Sequence, residues 1–157
     1  MVWNIMLEIL KRIFWTRSEP SMIKDLVERL KVNEGFSSTV YDDHLGFPTI
    51  GYGFAIKDLI LSEEISTLIL TDLVEKKLKA LQRQLDWFSD IPPEVQGVIL
   101  EMTYQLGYSG FCKFKKTINY FKEKEFKNAS EEMLDSKWAK QTPDRAKKLS
   151  QIVWNHG

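Results

Sequence analysis

Residues 34–54, reading EGFSSTVYDDHLGFPTIGYGF, decide how this chain is read. Just upstream, Ile23, Val27, Leu30 and Glu34 recur at helical spacing and share one face, so an acid closes an apolar stripe. Gly35 suits the left-handed residue that ends a helix, which sets Glu34 beside the negative pole of the macrodipole. The pole and the apolar neighbours both disfavour an anion there, and an acid in that setting can donate a proton. After Gly35 the period changes. Residues 39–41 and 48–52 read as two short strands around the polar turn of residues 42–46, a hairpin that carries Asp42 and Asp43. A proton-donating acid facing an ionised one is what glycoside hydrolysis uses, the first for the glycosidic oxygen and the second for water or developing positive charge. The same residues equally suit a solvated helix end followed by two turn formers.

The totals narrow the class. A chain of 157 residues with 43% hydrophobic residues and five tryptophans can bury a real core as one domain, with room for two lobes. Lysines and arginines number 22 and acids 22, so no global field draws in nucleic acid or an anionic wall, and attraction to substrate has to be local. Cys112 is the only cysteine, which excludes an intramolecular disulfide and fits synthesis in the cytoplasm. No CxxC pair, HExxH or phosphate-cradling glycine loop occurs, and the reading requires neither metal nor cofactor.

Outward from the central stretch, residues 1–20 form an amphipathic extension. Trp3, Ile5, Leu7, Ile9, Leu10 and Ile13 face a narrow polar strip of Asn4, Glu8, Lys11 and Arg12. It is too short and too charged for a membrane span and lacks a signal-peptide cleavage site. It either docks on the body of the protein or lies on a membrane surface through residues 1–17. A helix over residues 22–34 is expected to follow a Ser21 cap. A small lobe is expected at about residues 34–61 and a linking helix from Ser62 to about Leu85, roughly 35 Å long at about 1.5 Å per residue, so that a cleft would open between two lobes. A helical lobe over about residues 86–157 completes the domain of residues 21–157. Within it Pro92-Pro93 opens a helix that Gly107 stops, Asn128 caps a short helix through Leu134, and Thr142-Pro143 opens the last helix. The run Lys122-Glu123-Lys124-Glu125 reads as a solvated face.

Glu34, Asp43 and Thr49, spaced by eight and five residues and followed by Ile50-Gly51-Tyr52-Gly53, resemble the phage T4-type lysozymes, a family of glycoside hydrolases. A second segment, residues 136–146 (SKWAKQTPDRA), resembles the same family where it walls the cleft, and residues 105–114 resemble its cleft-lining turn. The resemblance covers about residues 22–153. It implies an α+β, mostly helical, bilobed fold with a small β-hairpin lobe and an all-helical lobe joined by a long helix. It also implies a general acid at Glu34, a carboxylate at Asp43 and a threonine at Thr49 that helps hold the attacking water; the count favours Asp43 over Asp42. Arg145 would pair with Glu34, and Gln105, Phe114, Trp138, Gln141 and Thr142 would lie along the sugar path, although Phe114 and Trp138 equally suit core aromatics.

The substrate so implied is peptidoglycan, cut at the β-1,4 bond between N-acetylmuramic acid and N-acetylglucosamine with inversion, which lyses the bacterial cell. The chain would be a monomer, held in the host cytoplasm until a holin-type partner admits it to the wall. Two rival readings are a lytic transglycosylase, which needs one acid only, and a non-catalytic wall-binding protein with a membrane-active N-terminal helix. Three departures from the family stand out. Phe54 replaces a histidine that would face a carboxylate, plausibly Asp72; the linker before the long helix is short; and the charge balance is neutral rather than basic.

Overall fold

The computed structural model describes residues 20–157, so the amphipathic extension lies outside the described residues. Helix α1 spans Pro20–Glu34, β1 Ser37–Asp42, β2 Pro48–Gly51 and β3 Phe54–Ala55, followed by a 3-10 turn at Ile56–Asp58. Helices α2 (Glu63–Gln84), α3 (Pro93–Phe111), α4 (Lys115–Lys122), α5 (Phe126–Leu134), α6 (Lys137–Gln141) and α7 (Pro143–Trp154) complete the chain. The fold is mostly helical with one small antiparallel sheet near its N-terminal end.

The chain divides into two compact units, with the boundary inside α2 between Leu68 and Ile69. In the first unit the strands run in the order β1-β2-β3, one more than the expected hairpin. Tyr41 pairs with Thr49 and Asp42 with Pro48, and β1 shifts register between Ser37 and Tyr41. The extra strand arises because Gly51 and Gly53 both take left-handed φ, at 69° and 76°, and turn the chain back so that Ile50 pairs with Phe54. Helix α1 starts at Pro20, so Ser21 is inside the helix rather than its cap. That start fits the preference of proline for the first helical turn, where its missing N–H costs nothing.

The second unit holds the core. Leu81, Phe88, Ile99, Met102, Phe111 and Phe121 are buried, and every buried apolar side chain among the described residues lies between Leu81 and Val153. Ser62 does cap α2, accepting the Ile65 N–H at 3.3 Å. Gly107 stops the first helical stretch of α3, leaving helical geometry at φ 71°, ψ 163°; a second short stretch then runs to Phe111, so the expected turn at residues 108–110 is helical. Helix α5 begins at Phe126, ahead of the expected Asn128 cap, whose side chain instead donates to Glu125 Oε2 at 2.7 Å. Thr142 precedes α7, yet its hydroxyl donates back to Trp138 O at 3.0 Å instead of capping forward. Residues 122–125 are exposed, as their charge pattern predicts.

Candidate functional site

Glu34 ends α1, and the Gly35 N–H closes that helix on Lys31 O at 3.1 Å, with Gly35 at φ 67°. The Glu34 carboxyl packs directly on the β2–β3 turn. A Cβ built on Gly53 would lie 2.8 Å from Glu34 Oε2, so the end of the acid would have to move aside, and the left-handed φ of 76° itself favours glycine there. Val27, Leu30, Lys31, Tyr52 and Phe54 complete a recess of about 350 Å³ around it. Lys31, one turn back, gives its ammonium to Glu28 at 2.8 Å.

Asp43 opens the turn after β1 and is built into it. Its Oδ1 accepts the Leu45 and Phe47 N–H groups, each at 2.9 Å, while its own N–H donates to Phe47 O at 3.0 Å. Gly46, at φ 80°, donates to Asp43 O at 2.9 Å and closes the turn. The Phe47 N–H, above all, holds the Asp43 carboxyl below the usual aspartate range; the Leu45 N–H, His44 and Lys57 add to this, and partial burial opposes it. Asp43 is therefore a firm anion whose Oδ2 takes no hydrogen bond from the protein. Asp42, its rival in the sequence, ends β1 opposite Pro48.

Thr49 is 3% exposed, and its hydroxyl donates to Phe47 O at 3.0 Å. With the proton so committed, the oxygen lone pairs are left to accept from a water. One residue, Phe47, thus ties the second carboxylate and the threonine together through its N–H and its C=O. Nothing in the sequence singled it out, because a backbone N–H and C=O leave no side-chain signature.

The expected sugar-path residues lie in the second unit. Trp138 is 4% exposed; its Nε1 donates to Gln105 Oε1 at 2.9 Å and its ring meets Phe114 edge-on at 6.1 Å. Phe114, Trp138 and Gln141 line a groove of about 700 Å³ that also carries Lys113, Lys115, Lys116 and Lys137. Against these four cations stands Glu132, 3.6 Å from Lys116. Here is a local positive patch on a neutral chain, which the sequence totals had hidden. Gln105 and Arg145 also line a second recess, of about 600 Å³, and Arg145 Nε stands 3.6 Å from Glu101 Oε1. That pair is exposed on both sides and so of little energetic weight. Thr142 is half-buried between α6 and α7.

The departure at Phe54 has a clear local outcome. Its ring occupies the space above Gly51, where a Cβ would meet it at 2.7 Å, and packs edge-on to Tyr52 at 6.5 Å. Asp72 pairs with Lys76 one turn on at 2.6 Å.

Residues 31–153 match the family model for phage lysozyme. This chain belongs to that family. It is 26% identical to the probable T4-type lysozyme 1 of Dictyostelium discoideum over 84% of its own length and 95% of that protein. The probable T4-type lysozyme 2 of the same organism is also 26% identical, over 83% and 94%. The pre-baseplate central spike protein Gp5 of Enterobacteria phage T4 is 28% identical over 88% of this chain, which spans only 28% of that longer protein. Among the described residues no helix is long and apolar enough to cross a membrane.

Proposed function

We propose that the chain is a peptidoglycan hydrolase that cleaves the β-1,4 bond between N-acetylmuramic acid and N-acetylglucosamine. Glu34 protonates the leaving glycosidic oxygen, and Asp43 acts as the base on a water that also donates to Thr49. One observation carries this reading: β2 runs between two carboxylates of unlike setting, Glu34 pressed on Gly53 past one end and Asp43 anchored as an anion at the other. Inversion, with carboxyls about 6.5–9.5 Å apart, is the stereochemistry proposed with this pair of acids; retention places them about 5–5.5 Å apart.

On this reading Gln105, Phe114, Gln141 and Thr142 bind the glycan, with Trp138 holding Gln105 in place from within the core, while Arg145, the expected partner of Glu34, stands beside Glu101. The lysines of the groove supply the local attraction to an anionic wall that the neutral chain lacks globally. Lysis follows once the wall is reached.

The test is a reducing-end assay on purified peptidoglycan with wild type beside Glu34→Gln. The variant is expected to lose about 10²-fold or more of the rate, and full activity in it would overturn the assignment. Product mass in the same assay separates hydrolysis from a transglycosylase, whose product is a 1,6-anhydro sugar.

A further inference from the structure

Phe47 does three things at once: its N–H holds Asp43 Oδ1, its carbonyl accepts the Thr49 hydroxyl, and that carbonyl also accepts the Asp43 N–H. Yet its side chain is exposed, at 41%, so the core does not immobilise this residue. What sits on its ring is Lys57, from the 3-10 turn after β3, with Nζ 4.0 Å from the ring centroid. A cation at that distance over an aromatic face is held by the ring quadrupole. The antiparallel register that pairs Thr49 with Ala55 places Phe47 and Lys57 opposite one another just beyond the β2–β3 ladder, so the contact staples the Asp43 turn to the segment that follows β3.

We propose that Lys57 is a positioning residue for Asp43, acting through Phe47: the ammonium seats the Phe47 ring and thereby fixes the backbone of this residue, whose N–H and C=O orient the carboxylate and the Thr49 hydroxyl. A second observation agrees with this. Lys57 also contributes to keeping Asp43 ionised, together with His44 on the turn itself, and these two are the charged side chains that act on Asp43. Lys57 therefore works on geometry and on charge in the same direction. The role so assigned to Lys57 is separable from that of the acids.

The kinetic arm of the test rests on the hydrolase reading; the titration arm does not. Asp43 is followed by carbonyl-carbon NMR as a function of pH in the full chain, in wild type, Lys57→Met, Lys57→Arg and Phe47→Leu. Methionine keeps the stem and removes the charge, arginine keeps both charge and ring contact, and leucine removes the ring but not the backbone N–H. The Asp43 midpoint is expected to rise in Lys57→Met and Phe47→Leu and to hold in Lys57→Arg. On peptidoglycan, kcat is expected to fall about threefold to tenfold in the first two with KM little changed, and arginine to restore it. An unmoved Asp43 midpoint in Lys57→Met overturns the proposal, as does loss of activity in Lys57→Arg equal to that in Lys57→Met. A shifted midpoint in a wild-type protein that does not cut peptidoglycan would leave the staple standing and defeat the hydrolase reading alone.

Discussion

At the scale of the residue, Asp43 shows how one carboxylate can serve structure and chemistry with different oxygens. Oδ1 belongs to the turn, and Oδ2 faces away from any protein donor. Asparagine keeps an Oδ1 that can accept both N–H groups, whereas alanine keeps neither bond. Asp43→Asn is therefore expected to hold the thermal midpoint of wild type while losing most activity, and Asp43→Ala to lose both; a thermal melt beside the reducing-end assay checks the pair. The pH dependence has a fixed sign. Because the folded carboxyl lies below its ordinary value, its contribution to stability is complete above about 3.9, the unfolded aspartate value, and is lost as pH falls through the lower folded one. Much of this residue was legible in the sequence, where the spacing from Glu34 and the following Gly46 marked a turn acid. The choice between Asp42 and Asp43 came from resemblance; the two N–H groups that Asp43 accepts explain its place in the turn. Phe47 and Lys57 stayed hidden, since a backbone donor and a ring contact ten residues away leave no local pattern.

Among the elements, α6 is the shortest helix described, and it carries Trp138 and Gln141. A helix of five residues cannot hold itself together by propagation, so its start has to be tied down. Ser136 does this, accepting the Ala139 N–H at 3.0 Å and donating to Met133 O at 2.7 Å. Ser136→Ala is expected to cost about 1 kcal/mol, read as a lower denaturant midpoint with an unchanged slope. The sequence reading used the same logic of caps and met mixed success for an identifiable cause. Ser62 caps α2 by accepting the Ile65 N–H. Asn128 does not cap, because its helix already begins at Phe126, and the Thr142 hydroxyl turns back to Trp138 O and takes no N–H from α7. Gly107 leaves helical geometry as its position predicts, but helix resumes directly beyond it and runs to the wholly buried Phe111.

Across the whole molecule, the buried apolar side chains and the two candidate acids fall in different units, divided inside α2. The helical unit holds the core, while in the first unit Thr49 is the one buried side chain among the described residues. Native-state hydrogen exchange is expected to find the slowest amides in α3, α5 and α7 and to find β1–β3 opening at far lower free energy. Equal protection in the sheet and in α3 would contradict that division. The overall class was legible because helical periodicity runs through most of the chain; the third strand was not, since two residues are too few to show a period. One last consequence follows from Gly53, whose missing side chain leaves the space that Glu34 fills. A residue with a β-carbon at that position would push the end of the acid aside and would have to adopt a left-handed backbone that other residues avoid, so a randomised library at 53 screened for lysis should be enriched in glycine.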